Sequence, residues 1–345
     1  MTFNLDCSIG EGGGAIIRIS SALAAATDTD LNLFNIRSNR SNPGLRAQHI
    51  EAINAIKQFS GFISVDSNIG DKELVLTKKN AKSDKAFVKV GTAGSIGLVS
   101  QAVLFYAFSQ KRDLELTING GATHGKWAPS VEYIQHITHE LMGLMDKKIE
   151  TNTIHYGFYP RGGAKCVFQF KGHDMLSPLN LTEKGELLKV EIFSIASQSL
   201  MGRHVAERQA DAFTKKVKLN VDVNRHINYV KSLNPGSGLT VVGIYSSGSR
   251  IGCFVPGERR ITAEQVAGLC AKIWERNSHG SAAVDEYVAD QLIVPLFLTE
   301  EKSEISVPTI SSHTKTNIDL TQKFIKRKTN IERKSDCFHI TVEDL

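Results

Sequence analysis

The sequence contains few cysteines, and they lie far apart. Its 345 residues include five, namely Cys7, Cys166, Cys253, Cys270 and Cys337. The number is odd and no C-x-x-C pair occurs, which argues against a disulfide scaffold and against a zinc site built from cysteines. We therefore expect reduced thiols.

Long hydrophobic runs are also missing. The longest apolar stretches, residues 97–108 and 293–298, are too short or too polar to span a bilayer. Residues 1–7 carry neither the basic nor the apolar segment of a secretory signal. We expect a cytoplasmic protein, with the nucleus as the alternative in a eukaryote, and no membrane partner. We also predict no obligate protein partner.

The charge is only mildly basic. The chain has 41 Lys and Arg against 36 Asp and Glu, a net charge of +5, which permits a polyanionic partner without requiring one. The densest basic run comprises Lys323, Lys326, Arg327, Lys328, Arg333 and Lys334. Such a run could line a nucleic-acid path, but a solvated surface is the commoner arrangement.

The first half of the sequence repeats one order of elements, which predicts an α/β fold. The first unit has predicted strands at residues 3–6, 31–36, 62–66 and 73–77, and helices at 15–27 and 43–60. The second has strands at 86–90, 113–118, 148–155 and 165–170, a turn at 91–95, and helices at 96–109 and 129–145. An offset of about 80 residues suits a duplicated subdomain rather than a solenoid.

A third copy of the unit is predicted at the end of the chain, with an interruption. Its strands are predicted at 189–195, 304–307 and 338–342, and its helices at 281–298 and 312–326. The interrupting residues have their own strands at 239–246 and 250–255 and a helix at 263–276. We predict a large domain of residues 1–185 and 280–345, with a small α/β domain inserted at 186–279.

Glycine-rich turns come before the first helix of each of the first two units. A turn of this kind presents backbone N–H groups and the positive end of a helix dipole to an anion. Gly10, Gly12 and Ala15 also satisfy the dinucleotide fingerprint, and Arg37 and Arg40 follow the next strand, where an NADP 2′-phosphate could bind. An NADP-dependent oxidoreductase is therefore one hypothesis. No P-loop motif occurs, so an ATP site here would be of another kind.

Arginines gather around the helix starts of the first unit. The polar group comprises Arg18, Arg37, Arg40, Arg46 and Gln48. Arg18 lies on an otherwise apolar stretch, where a charge is unfavourable unless it is paired or binds a ligand; an arginine that reaches the surface is the alternative. Glu11, inside the glycine run, is a candidate contact for Mg²⁺ or Mn²⁺, or else a favourable charge near a helix start.

His313 differs in its setting from the other histidines. It follows Pro308, Thr309 and Ser311, which indicate a loop and an N-cap before a helix. In the repeat it falls at the start of the third unit's second helix. From composition alone, a capped helix with an incidental histidine remains the alternative.

These motifs resemble those of the RNA 3′-terminal phosphate cyclase family. The resemblance covers nearly the whole chain, and its motifs lie, in order, at residues 10–18, 43–49, 91–95, 157–163, 204–208, 285–292 and 312–317. It implies three α/β units with a small domain inserted in the third. It also implies an RNA substrate with a 3′-phosphate end.

The resemblance implies a mechanism that begins at His313. Its Nε2 attacks the α-phosphorus of ATP, releases pyrophosphate and forms a histidyl-adenylate. The AMP then passes to the terminal 3′-phosphate of RNA. The neighbouring 2′-OH attacks that phosphorus, closes a 2′,3′-cyclic phosphate and expels AMP.

Roles for other residues follow from the same resemblance. Arg18 and Arg40 act in catalysis, and they contact the substrate phosphate together with Arg37 and Gln48. Glu11 holds the divalent metal. The nucleotide is bound by His313, Pro129, Tyr287, Asp290 and Gln291, with Pro129 and Tyr287 packed on adenine.

The sequence also departs from the family at two places. Ala15 stands where cyclases typically have Gln, and residues 120–129 differ from the sequence that family members usually have there. A non-catalytic branch acts in ribosomal RNA processing and lacks the nucleophilic histidine and several arginines. Because His313, Arg18 and Arg40 are all present here, we predict an ATP-dependent enzyme, with the non-catalytic factor and the oxidoreductase as alternatives.

Overall fold

Four mixed sheets of four strands each make up the framework in a computed structural model, which describes residues 2–10, 12–64, 67–78 and 82–344. The first unit comprises β1 (Thr2–Asp6), α1 (Gly14–Ala26), β2 (Asp30–Phe34), α2 (Ala47–Ser60), β3 (Phe62–Ile63) and β4 (Leu74–Lys78). Its strand order is β1-β2-β4-β3, with β1 and β2 parallel and the other pairs antiparallel. Residues 65 and 66 of the third predicted strand lie outside the described residues.

The second unit has the same connectivity. It comprises β5 (Lys85–Ser95), α3 (Ile96–Ala107), β6 (Leu114–Ala122), α4 (Val131–Tyr133), α5 (His139–Gly143), β7 (Ile149–His155) and β8 (Lys165–Phe170). A π-helical stretch, Ile134–Thr138, joins α4 to α5, so the predicted helix at 129–145 is one helix with a wider turn inside it. The order β5-β6-β8-β7 again has one parallel pair followed by two antiparallel pairs.

The third unit starts with one very short strand, β9 (Asn180–Leu181), and is then interrupted. The interrupting elements are β10 (Leu187–Ser197), α6 (Val205–Lys216), β11 (Asp222–Val230), β12 (Ser237–Tyr245), β13 (Arg250–Pro256) and α7 (Ala263–Ser278). They form their own sheet, β11-β10-β12-β13. A separate apolar core lies beneath α6 and α7, around Phe213 and Trp274. The division of the chain at residues 186 and 279 stays a prediction, but this sheet and core fall within those limits.

The third unit then resumes with the expected order. Its remaining elements are α8 (Glu286–Leu298), β14 (Ser303–Val307), α9 (Ser312–Thr321), β15 (Lys328–Lys334) and β16 (Cys337–Glu343). β9 is parallel to β14, and β14, β16 and β15 pair antiparallel, which is the connectivity of the other two units. The predicted α/β fold with a triplicated unit is therefore confirmed.

One predicted strand is assigned to the wrong sheet. The strand predicted at 189–195 is present as β10, but it pairs with β11 and β12 in the inserted sheet. The first strand of the third unit is β9 instead. Two residues are too few to give an alternating pattern, so the sequence offered no signal for it.

One helix start and one turn were also predicted wrongly. The helix predicted from residue 43 begins at Ala47, because the preceding backbone is used in a turn: Gly44 N–H donates to Ile36 O (2.8 Å) and Leu45 N–H to Asp71 O (2.9 Å). The predicted turn at 91–95 is the last part of β5, and Ser95 at its end caps α3 by accepting from Leu98 N–H.

The C-terminal basic run is not one continuous surface. Arg327 is buried and donates to the carbonyls of Thr299, Glu300 and Glu301. Much of the rest lies on β15, an exposed edge strand that was not predicted from the sequence. Its lysines pair with carboxylates on neighbouring strands, as expected for a solvated face.

The remaining whole-chain expectations concern thiols and membranes. All five cysteines are buried and free. Within the described ranges, no helix is long and apolar enough to cross a bilayer.

Candidate active site

The glycine-rich loop before α1 is packed tightly between two other helices. Gly10 has φ +55°, and a Cβ there would collide with the side chain of Thr316 on α9. At Gly14, the first residue of α1, a Cβ would collide with the imidazole of His49 on α2. Glycines are required at both positions because no space is left for a side chain. The contact of Gly10 with Thr316 joins the loop of the first unit to the helix that carries His313.

His49 is a buried, neutral imidazole beneath the loop. It is 1% exposed, and its Nδ1 accepts from Arg46 N–H at 3.1 Å, so the ring proton lies on Nε2. Burial, together with the positive charges of neighbouring arginines, lowers its pKa to about 3. These neighbours are Arg18, Arg37 and Arg46. A neutral ring at this position adds no further positive charge to the cluster.

The predicted arginines do lie together, in a group that we call the arginine cluster (Arg18, Arg37, Arg40 and Arg46). Burial lowers the pKa of Arg37, and repulsion by Arg46 and Arg40 adds to the effect. The guanidinium of Arg40 lies against Gly13, 3.2 Å from where a Cβ would stand. The cluster therefore adjoins the N-terminus of α1, where backbone N–H groups also favour an anion.

Arg18 is the most buried member of the cluster. It is 8% exposed on α1, and burial lowers its pKa to about 10. Its buried Nε has no hydrogen-bond partner, and no ion pair to it is found in the described part of the chain. The alternative of an arginine that reaches the surface is wrong. A buried guanidinium without an anion is strongly unfavourable, and its charge suits a bound phosphate.

Gln48 joins the cluster to the second unit. Its Oε1 accepts from Ser95 N–H at 3.3 Å, and Gly94 lies 3.2 Å, measured from an ideal Cβ position, from the Gln48 Cβ. The equivalent glycine-rich segment of the second unit thus borders the same site. Contact of Gln48 with a substrate phosphate stays a prediction.

His313 lies in the first turn of α9 with an exposed side chain. Ser311 caps the helix by accepting from Thr314 N–H at 2.9 Å, which confirms the predicted N-cap. The carboxylate of Asp290 accepts from both Ser311 Oγ (2.9 Å) and Thr314 Oγ1. Asp290, predicted to lie near the nucleotide, therefore holds the start of the His313 helix against α8.

The start of α8 is organised by Asp285, a role that was not predicted from the sequence. Its buried carboxylate accepts from Tyr133 Oη (2.6 Å), Gly252 N–H (3.0 Å) and two backbone N–H groups of α8. Burial raises its pKa to about 6. Asp285 thus ties together the second unit, the inserted sheet and α8. An aspartate before a helix indicates a cap, but its two distant donors have no local sequence signal.

The predicted adenine-binding residues lie on both sides of this junction. Tyr287 is 45% exposed on α8, and its hydroxyl accepts from Arg276 at 3.0 Å. Gln291 is buried one turn later and accepts from Thr138 Oγ1 at 3.1 Å. Pro129 is half-buried and directly precedes Ser130, the cap of α4. Packing of Pro129 and Tyr287 on an adenine stays a prediction.

The predicted metal contact cannot be placed. Glu11 lies outside the described residues. In the ranges that are described, no group of three or more His, Cys, Asp or Glu side chains could hold a metal ion. Binding of Mg²⁺ or Mn²⁺ at Glu11 stays a prediction.

These features define a class of protein: repeated α/β units that present an arginine cluster beside a capped, histidine-bearing helix. The chain belongs to the RNA 3′-terminal phosphate cyclase family, whose family model matches residues 9–331. The topology also contradicts the dinucleotide-binding alternative, because each sheet has only one parallel pair among the described residues instead of a continuous parallel arrangement.

The chain is also similar in sequence to individual family members over nearly their full length. The chain is 35% identical to an RNA 3′-terminal phosphate cyclase of Caldivirga maquilingensis over 95% of this chain and 93% of that protein. It is 36% identical to one of Pyrococcus abyssi over 93% and 92%, respectively. It is 33% identical to one of Methanococcoides burtonii over 99% of both chains.

Proposed function

We propose that this protein converts the 3′-terminal phosphate of RNA to a 2′,3′-cyclic phosphate at the expense of ATP, through a covalent histidyl-AMP and an RNA-adenylate. One observation carries the proposal. Arg18 is buried without an anionic partner in the described chain, and the loop beside it is packed through Gly10 and Thr316 onto the helix of His313. Arginines suited to binding phosphate and an exposed imidazole therefore lie where α1 and α9 meet. Phosphoryl transfer requires the nucleophile and the phosphate to be held close together.

In the first step, Nε2 of His313 attacks the α-phosphorus of ATP. A P–N bond forms, the bond to pyrophosphate breaks, and the ring proton is lost to solvent. Only neutral imidazole has the free electron pair for this attack, and histidine readily supplies that form near neutral pH. The exposed position of His313 in the first turn of a capped helix leaves the ring accessible to a nucleotide.

In the second step, an oxygen of the RNA 3′-phosphate attacks the adenylate phosphorus, and the P–N bond breaks. A phosphoanhydride joins RNA to AMP, and His313 is regenerated. In the third step, the adjacent 2′-OH attacks the terminal RNA phosphorus, loses its proton and expels AMP. The arginine cluster stabilises negative charge on the phosphate oxygens during these transfers.

Tyr287 and Pro129 hold the adenine, with Asp290 and Gln291 close to the nucleotide. A divalent cation, Mg²⁺ or Mn²⁺, would be held by Glu11 and would reduce the charge of the ATP phosphates. The half-exposed ring of Tyr287 fits this arrangement. Asp290 contributes mainly by fixing the start of α9.

The chemistry is tested with two RNA ends. A 3′-phosphorylated oligonucleotide incubated with ATP and Mg²⁺ or Mn²⁺ is expected to gain a phosphatase-resistant cyclic end. The same oligonucleotide with a 2′-deoxy terminal sugar lacks the nucleophile of the third step, so its adenylated end should accumulate. His313→Asn should abolish both products, whereas His279→Asn, a change at an exposed histidine after α7, should leave both unchanged.

Absence of both products with every metal tried would overturn the proposal. A protein that still bound RNA would then be assigned to the non-catalytic branch that acts in ribosomal RNA processing.

A further inference from the structure

The two most exposed large hydrophobic side chains of the described chain are aromatic and have no role in the proposed chemistry. Trp127 is 90% exposed and Tyr159 is 78% exposed. Trp127 also has φ +60°, an unfavourable conformation for a bulky residue. Single exposed hydrophobic residues are common on proteins, but two exposed aromatic rings on neighbouring loops are typical of a binding surface.

The loops that carry these two rings lie side by side. Residues 123–130 follow β6, and residues 156–164 connect β7 to β8, so both lie at the same edge of the second sheet. Thr123 N–H donates to Gly157 O at 2.9 Å, and His124 pairs with Phe158 in a β-bridge. We call this edge the aromatic edge.

The aromatic edge is continuous with the candidate active site. Gly162 approaches the carbonyl of Thr92 so closely that a Cβ there would be 2.9 Å from it. Thr92 belongs to the glycine-rich segment that contacts Gln48, and thereby the arginine cluster. The loop of Trp127 also leads to the candidate active site, because Trp127 lies two residues before Pro129, which is predicted to pack on the adenine.

The inserted sheet extends the aromatic edge with two further loops, residues 231–236 and 257–262. Asn234 Nδ2 donates to Tyr159 O at 2.6 Å, and Lys126 forms an ion pair with Glu258 at 2.9 Å. The two loops are adjacent because the start of β12 pairs with the end of β13. The second unit and the inserted sheet thus form one surface here.

This surface is strongly basic. The exposed charged residues of the four loops are Lys126, Arg161, Lys231, Glu258, Arg259 and Arg260. The loops thus carry five positively charged side chains and one carboxylate, that of Glu258, which pairs with Lys126. The Nζ of Lys126 also lies 5.1 Å from the centre of the Trp127 ring, so cation and aromatic ring are presented together.

We propose that the aromatic edge binds the single-stranded RNA leading to the terminal phosphate, with bases stacked on Trp127 and Tyr159 and backbone phosphates on the basic loops. This inference rests on the proposed function and assigns a path to its substrate. Aromatic platforms within a basic groove bind single strands without regard to sequence, because every base has a stacking face. The excess of positive charge favours a polyanion over an apolar partner.

Trp127 allows a direct binding test, because the chain has only two tryptophans and the other, Trp274, is 2% exposed. The probe is a 3′-phosphorylated, single-stranded oligouridine of about ten nucleotides. It is expected to quench the intrinsic fluorescence and to shield it from acrylamide. Trp127→Phe should lose the RNA-dependent quenching while binding the RNA.

Affinity is measured separately with a labelled form of the same RNA. Trp127→Ala and Tyr159→Ala are each expected to weaken binding by about tenfold. Phe87→Ala removes an aromatic side chain that is 55% exposed near the start of β5, away from the edge, and should leave affinity unchanged. Arg259→Glu should lower the salt dependence of binding, and Arg333→Glu on β15 should not.

The outcomes separate this inference from the proposed function. Transfer of AMP from ATP to the protein needs no RNA, so its failure overturns the proposed function even if RNA quenches Trp127. If wild type takes AMP and cyclises RNA, but Trp127→Ala and Tyr159→Ala keep wild-type RNA affinity, the inference is overturned. Quenching by ATP alone, with no further effect of RNA, would assign Trp127 to the nucleotide and also overturn it.

Discussion

Arg18 places a positive charge inside the fold where no anion of the described chain compensates it. A buried cation without a partner is costly, because it loses its hydration and gains no ion pair. Arg327 is equally buried, but its guanidinium donates to backbone carbonyls after α8. We therefore expect Arg18 to destabilise the folded protein and Arg327 to stabilise it.

Arg18→Met is expected to raise the free energy of unfolding by about 1 kcal/mol or more, since it removes an uncompensated buried charge. It should also lower RNA cyclisation by about 100-fold or more, since it removes a phosphate ligand. Arg327→Met is the matched control and should lower the unfolding free energy by about 2–4 kcal/mol, because several carbonyls lose their donor. Urea unfolding and product formation measure both effects. Equal destabilisation by the two changes would mean that Arg18 is structural.

Individual residues of the site could be predicted from the sequence only where their setting was unusual. Arg18 was recognisable because a charge interrupts an apolar helix, and His313 because polar capping residues precede it. The acceptor role of Asp285 could not be recognised in the sequence, because two of its donors, Tyr133 and Gly252, come from distant parts of the chain. Such partners are fixed only when the units pack together.

At the level of elements, the start of α9 is the part on which the proposed chemistry most depends. The helix has only ten residues, and its first turn is held by the Ser311 cap and by Asp290 on α8. Small displacements of a nucleophile slow a reaction sharply. Helix capping and catalysis are therefore coupled at this position.

Ser311→Ala is expected to lower the free energy of unfolding by about 1 kcal/mol through loss of the cap. It should also slow AMP transfer to the protein by about tenfold or more, since the first turn of α9 loosens. Thr262→Ala removes the equivalent cap of α7, where Thr262 accepts from Gln265 N–H at 3.2 Å, in the inserted segment. It should cost similar stability without slowing AMP transfer. Equal slowing by both variants would contradict a specific role for the α9 start.

The prediction of elements failed where tertiary contacts decide the local structure. Proline and glycine at residues 43 and 44 are typical of a helix start, but the backbone there bonds to neighbouring loops and α2 begins at Ala47. β15 was missed because an exposed edge strand of mostly charged residues has no hydrophobic alternation. β9 was missed because it is too short.

At the level of the whole molecule, the site follows from the repetition of one unit. The same kind of contact recurs between units: the second helix of one unit lies against the glycine-rich segment that precedes the first helix of another. Thr316 on α9 lies against Gly10 in this way, and Gln48 on α2 lies against Ser95 at the end of β5. The order and spacing of elements predicted the repetition and the insertion. The sequence alone did not predict which corners touch, because contacts such as Gly10 with Thr316 join residues about 300 positions apart, far beyond any local pattern.

The central claim is that His313 becomes covalently adenylated, and peptide mass spectrometry after incubation with ATP and a divalent metal tests it most directly. The account predicts that the peptide containing His313 gains the mass of one AMP. The adduct should be lost in acid, as expected of a P–N bond, and should be absent from His313→Asn. Formation of cyclic RNA ends without any such adduct, or with AMP attached to a different residue, would contradict the account.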